Sequence, residues 1–242
     1  MTDTVDLLAI AAHRDDAELT CGGTLAKAAR AGYRVAILDL TQGESGTRGD
    51  AATREAEAER AARTLGVAVR LNAELRDAHL ENNEASRKRV VELIRRTTPS
   101  VVILPFPVGR HPDHRIASEL GRDACYLAGL AKYAPGTGGA AHRPRKLLYA
   151  LAYREDPVKP SFVVDISDTF AVKMEAIRCY ASQFDGVQAA GEIYPTGQDL
   201  YGLIQVQSAH YGSLIRRRYG EPFYTGETME VADVLQLGVQ SL

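Results

Sequence analysis

The sequence predicts an α/β protein: one Rossmann-like domain over residues 1–242, with a mostly parallel sheet and helices on both faces. Two observations carry this. Predominantly apolar runs at 5–12, 33–41 and 101–106 have the character of central strands. Stretches of helix formers separate them, so strand, helix and strand succeed one another within about forty residues as a βαβ unit, whose crossover is right-handed. At 242 residues and 45% hydrophobic content, the chain is long enough to bury a full core.

Taken in order, residues 5–12 form the first strand and 17–31 a helix, with Gly32 as its C-cap. Residues 33–41 are the next strand, and the glycine-rich segment 42–50 follows at the same carboxyl end, either as a solvated turn or as a loop that touches substrate. A helix over 53–66 stops at Gly66 and leads to a strand near 67–71. The helix 84–97 is stopped by Pro99, and residues 100–105 form the strand that follows. Asp113 and His114 open a helix through Leu130, with the acidic residue in the first turn that the helix dipole favours. Residues 134–144 are rich in breakers and predict an irregular loop at an interface or at the cleft rim. Late strands fall at 147–152 and 162–166. Asp168 is the expected cap of a helix running to about 184. One more helix lies within 197–218, with Arg216, Arg217 and Arg218 in its last turn. There is no internal repeat.

Composition narrows the partners. The formal net charge is -2, from 29 basic and 31 acidic residues, so neither nucleic acid nor an acidic membrane surface is expected as a partner. No apolar run approaches the roughly 18 residues of a membrane span, and the first residues do not read as a secretion signal. A cytoplasmic protein is expected. Cys21, Cys125 and Cys179 are isolated and odd in number, which suits small buried hydrophobes better than disulfides or a thiolate metal site.

Chemistry concentrates where two of these strands end. Ala12-His13-Arg14-Asp15-Asp16 follows the first strand, and Gly109-Arg110-His111-Pro112-Asp113-His114 follows the run 101–106. In open α/β sheets ligands bind at the carboxyl ends of the strands. His13 and Asp16, three apart across a strand-to-helix turn, can converge on one cation, which leaves Asp15 as a candidate general base. A single histidine would be an ordinary surface or core residue. Two mixed His/Asp clusters at like strand ends are a site.

These motifs, with Gly22-Gly23-Thr24, the 41–49 loop, the 160–166 strand, Ser182-Gln183-Phe184 and the 219–223 segment, resemble the LmbE-like, or PIG-L, family of zinc-dependent N-acetylglucosaminyl deacetylases. The later segments lean toward its bacillithiol-biosynthesis branch, which acts on N-acetylglucosaminyl malate. The resemblance implies His13, Asp16 and His114 as ligands of zinc, with Fe(II) as the alternative metal, and Asp15 as the general base. It also implies that His111, oriented by Asp113, stabilises the oxyanion or protonates the leaving amine, and that the protein is a homo-oligomer, of which a hexamer is one form. The family has proline where this chain has Arg14, so the turn loses a fixed φ and gains a charge at the mouth.

Arg54, just past the glycine-rich loop, and Arg110, just before His111, are candidate substrate-binding groups, because guanidinium groups bind carboxylates such as those of malate in paired hydrogen bonds. The neighbouring substrates in the family are the inositol conjugate of mycothiol synthesis and N-acetylchitooligosaccharides. Two further readings fit less well. A facial-triad Fe(II) oxygenase does not need Asp15. A nucleotide-binding module would carry Gly-x-Gly-x-x-Gly at the first turn, which is absent.

Overall fold

In a computed structural model, which describes residues 3–46, 48–151, 158–185 and 199–239, seven strands form one sheet in the order β3-β2-β1-β4-β5-β7-β6. They are β1 (Leu7–Ala11), β2 (Val35–Thr41), β3 (Val69–Leu75), β4 (Val101–Pro105), β5 (Lys146–Ala150), β6 (Phe162–Asp165) and β7 (Gly220–Tyr224). The first five are parallel; β7 runs antiparallel between β5 and β6. The expected Rossmann-like, mostly parallel sheet is therefore present, with an antiparallel edge.

The central, largely apolar strands divide their side chains between two helical layers. Leu7, Ala9, Ala11, Val35 and Ile37 pack against α1 (Asp16–Arg30), α2 (Ala51–Leu65) and α5 (Phe170–Arg178). Leu8, Ile10, Ala36, Leu38 and Leu40 pack against α3 (Glu84–Thr97) and α4 (Pro112–Ala128). Successive residues of a strand face opposite sides, so a strand covered on both faces is largely apolar, and the buried Asp39 of β2 is paired by Arg70. β1 pairs with both β2 and β4, so the chain winds away from it in two directions. Such a switch point leaves a crevice at the strands' carboxyl ends.

Several expected boundaries move. Thr169, not Asp168, is the N-cap of α5, and the helix stops at Arg178 before the four-residue α6 (Ala181–Phe184). The break serves Tyr180, which is fully buried and hydrogen-bonds Glu18 in α1. The helix α7 (Leu200–Leu214), capped by Asp199, ends before Arg216–Arg218, which turn the chain into β7 through a positive φ at Arg216. Gly197 and Ala152 lie outside the described residues. Helix α1 is kinked at Cys21, where the Glu221 carboxylate of β7 accepts from Gly23 N, Thr24 N and Thr24 Oγ1. Lys173 neutralises that carboxylate at 2.7 Å.

The breaker-rich loop 134–144 does not reach the cleft rim. His142 bonds Pro99 O at 2.7 Å, immediately before β4 begins, so the loop sits at the amino ends of the strands. Helix α4 returns the chain there before β5 starts. Arg95, 2% exposed, fastens the loop by donating to the carbonyls of Ala128, Leu130, Tyr133 and Ala134. Among the described residues, no helix is long and apolar enough to cross a membrane.

Candidate metal centre and active site

The turn from β1 into α1 closes on itself. Asp16 Oδ2 accepts from His13 N at 2.9 Å, and this fold-back brings the His13 ring, Nδ1 at 3.3 Å, alongside the same carboxylate. From β4, the chain enters α4 with His111 as N-cap and Pro112 in the first turn, a favoured start that presents His114 one turn later. His114 Nε2 lies 3.2 Å from Asp16 Oδ1. The donor atoms of His13, Asp16 and His114 all fall within 4.8 Å of one another. Two imidazoles and one carboxylate, all partly buried, could hold a metal ion, and three protein ligands of N/O type would leave it an open position. A second triple within the same reach, His13, His111 and Asp113, shares His13 with the first.

The charges around His13 fit a cation. Its Nε2 is 3.2 Å from Asp77 and 3.4 Å from Asp113, so three carboxylates contact one ring. Burial opposes protonation of His13, yet hydrogen bonds to Asp113, Asp16 and Asp77 outweigh it and push the ring up to about 12. Burial also works against the charge on Asp16, but His114 and His13 hold it well below the usual carboxylate range. Asp15 moves the other way. Burial and the Asp16 charge raise it, and the Arg54 and His13 charges only partly offset them. Two adjacent carboxylates are thus shifted in opposite directions: Asp16 toward its ionised form, as a metal ligand needs, and Asp15 toward greater proton affinity, as a general base needs.

Residues 8–125 match the PIG-L family model, described as GlcNAc-PI de-N-acetylase. The chain is 32% identical to the diacetylchitobiose deacetylase of Thermococcus kodakarensis over 230 residues, 90% of this chain and 82% of that protein. The chain belongs to the PIG-L family. A solved structure of a conserved protein from Thermus thermophilus is 35% identical and superposes with a TM-score of 0.84 over 94% of this chain and 98% of its own. The 4-oxalmesaconate hydratase of Pseudomonas putida is 26% identical over 73% of both chains.

Within this PIG-L site, Asp113 differs from its expected role. Its backbone N–H donates to His111 Nδ1 at 3.2 Å, but its carboxylate turns to His13 and to Ala78 N at 2.8 Å. The carboxylate therefore packs against the His13 ring rather than against His111. Because His111 Nδ1 accepts, a neutral His111 carries its hydrogen on Nε2. Desolvation and the charges of His114 and His13 lower the His111 pKa, which favours that neutral, donating form.

The two arginines separate. Arg110 is exposed in the turn beside His111. Arg54 is 5% exposed; its Nη1 donates to Gly43 O at 2.8 Å and its Nη2 lies 3.9 Å from Asp15. Gly43 has φ +73, and a Cβ there would lie 2.1 Å from the Arg54 guanidinium. The glycine-rich loop is thus shaped around Arg54, whose charge faces Asp15. Arg14 does not place a charge at the mouth: it is 5% exposed, and its guanidinium reaches Glu55 at 3.5 Å. Its carbonyl, not its side chain, is used by the fold, accepting from Arg70 and the Tyr180 hydroxyl.

Sequence reasoning missed that support. Arg70 bridges Glu18 at 2.6 Å and Asp39 at 2.8 Å beneath the turn. Asp39, a charge inside the apolar run of β2, was the available signal. Asp77 was also missed. It accepts from Ser45 N at 2.9 Å, and its own N–H donates to Glu44, so it ties the glycine-rich loop to His13. Gln183 donates to Arg48 O at 2.7 Å from the other side, which accounts for the Ser182-Gln183-Phe184 segment. Thr47 lies outside the described residues.

Proposed function

We propose that this PIG-L protein is a metal-dependent deacetylase that hydrolyses the N-acetyl amide of an N-acetylglucosaminide. The observation that carries the reading is Asp15, a half-buried carboxylate with raised proton affinity, next to the convergent His13, Asp16 and His114. These three would hold zinc, with Fe(II) as the alternative that the same donor set accepts. When bound, such an ion acidifies water and polarises a carbonyl oxygen.

Asp15 takes the proton of the attacking water as its oxygen bonds the acyl carbon. His111 donates a hydrogen bond from Nε2–H to the developing oxyanion. The C–N bond then breaks, and the proton held on Asp15 passes to the departing amine, leaving acetate and a free amino sugar. Asp77 and Asp113 keep the His13 ring in place throughout, and the Arg54 charge favours the ionised form of Asp15, partly offsetting burial and the Asp16 charge.

For the aglycone, the exposed Arg110 favours an anionic partner, and N-acetylglucosaminyl malate in bacillithiol synthesis is the reading proposed. The likeness to a diacetylchitobiose deacetylase favours an N-acetylchitooligosaccharide instead. The likeness to a hydratase supports a third reading, water addition to an unsaturated acid with Asp15 as the base. Amine release from N-acetylglucosaminyl malate, the inositol conjugate and diacetylchitobiose, with metal analysis of the same sample, tests all three. Acetate release from none of them, with hydration of an unsaturated dicarboxylate, would sink the deacetylase reading. Arg110→Met should weaken the malate substrate by roughly 1.5–3 kcal/mol, the scale of a charged hydrogen bond.

A further inference from the structure

A cavity of about 60 Å³ lies between the first turns of α1 and the carboxyl ends of β1, β4 and β5. Ala11, Cys21, Ile103, Phe106 and Ala150 make its wall apolar. Phe106 is 7% exposed and held edge-on against Tyr224, with ring centroids 5.5 Å apart. The polar side chains on the wall are Thr20, Asp16 and His114. Thr20 is already committed, donating to Asp16 O at 2.7 Å. The groups left facing a guest are therefore two of the metal-site residues, while Asp15, Arg54, Arg110 and His111 do not line the cavity.

This geometry divides a substrate in two. The amine side carries a polar sugar, which suits the exposed flank formed by Arg110 and His111. The acyl side is apolar and must lie on the opposite side of the scissile carbon, where an apolar cavity begins at Asp16 and His114. One water-sized group needs about 10–15 Å³ of such space, so the cavity holds roughly four. An acetyl methyl fills one of them. A cavity lined by alanine, isoleucine and phenylalanine gains from apolar filling and has little to offer water.

We propose that this cavity is an acyl-chain subsite, and that the protein hydrolyses N-propionyl and N-butyryl amino sugars at least as well as N-acetyl ones, releasing the corresponding short-chain carboxylate. The inference rests on the amide-hydrolase reading above and adds the length of the acyl group. Small side chains set that length: Ala11 on β1 and Ala150 on β5 leave space that larger residues would occupy.

The test uses the metal-loaded protein and two readouts. The first is kcat/KM for glucosamine acylated with acetyl, propionyl, butyryl and octanoyl groups. Each added methylene up to butyryl should raise it about fourfold, the gain from burying one methylene, and the octanoyl compound should be a poor substrate. The second is binding of acetate, propionate and butyrate, read by thermal shift or by competitive inhibition. Butyrate should bind on the order of tenfold more tightly than acetate. Ala11→Val narrows the cavity with a residue that suits a strand, and should reverse the butyryl-to-acetyl preference. Hydrolysis that falls steeply from acetyl to propionyl, with acetate binding as tightly as butyrate, overturns the subsite. If no N-acylglucosamine is hydrolysed, the deacetylase reading fails, yet the carboxylate series still decides whether the cavity receives an alkyl chain. Should Ala11→Val not fold, the series on the unaltered protein decides alone.

Discussion

The two ends of the sheet carry similar amounts of irregular, glycine-bearing loop, but they use their charges differently. At the amino ends, Arg95 is buried and satisfied by main-chain carbonyls, with no acidic partner among its hydrogen bonds. At the carboxyl ends, His13 meets Asp16, Asp77 and Asp113, and Asp15 lies within 3.9 Å of Arg54. A buried charge saturated by neutral dipoles fixes a shape. A group of carboxylates crowded round one imidazole calls for a cation, and so marks chemistry.

Six substitutions and one change of condition would break or sharpen this contrast. Asp15→Asn should keep metal and lower amine release by about 10²–10⁴, the usual contribution of a general base. Metal analysis and turnover on one preparation check it, and full activity would remove Asp15 from the base role. His13→Ala, Asp16→Ala or His114→Ala should instead lose the metal itself; stoichiometric metal in all three would refute the site.

Arg95→Met should leave several carbonyls of the 129–137 segment without donors and cost roughly 3 kcal/mol of stability. Denaturant unfolding measures the loss. Metal content and turnover per folded molecule should hold, since the loop lies at the far end of the strands.

Asp77→Asn keeps the shape of the side chain but weakens its hold on His13. Metal affinity should fall by about 10–100-fold, as for other residues that orient a ligand histidine. A chelator competition series reads it, and unaltered affinity would show that Asp113 alone orients the ring.

Per pH unit, the gentlest change is in pH dependence. In the metal-free protein, the His13 pKa is pushed from 6.5 up to about 12. A raised folded-state pKa contributes stability that is fully present below 6.5 and is lost as pH rises toward the folded value. Metal must displace that proton, so its affinity should rise with pH over the same window, by at most about tenfold per unit for one proton. Calorimetric titration at several pH values, in buffers of different ionisation heat, reports the proton released. Pairing at the amino end should add nothing to this slope.

Much of the fold could be read from the chain because strands buried on both faces are largely apolar, and such runs are visible without coordinates. β7 was harder. Gly220–Tyr224 is short and contains Glu221, whose charge is tolerable only because Lys173 and the kinked α1 receive it. The helix expected up to residue 184 failed for a similar reason: Tyr180 leaves the helix to reach Glu18, a partner 162 residues away.

His13, Asp15 and Asp16 follow the end of β1 directly and His114 lies in the first turn of α4, so short-range chain geometry already drew attention to these residues. The partners of those residues were not. Asp113 looked bound to orient its neighbour His111, but its carboxylate crosses to His13, 100 residues away. Arg54 looked like a cation at the mouth, but the turn at Gly43 opens a slot that buries it beside Asp15. Sequence by itself determined which groups could bind metal and move protons, because that depends on residue type and short-range spacing. Only the tertiary structure decided which group each one faces, because desolvation and Coulomb energy depend on distances between elements that the chain order does not specify.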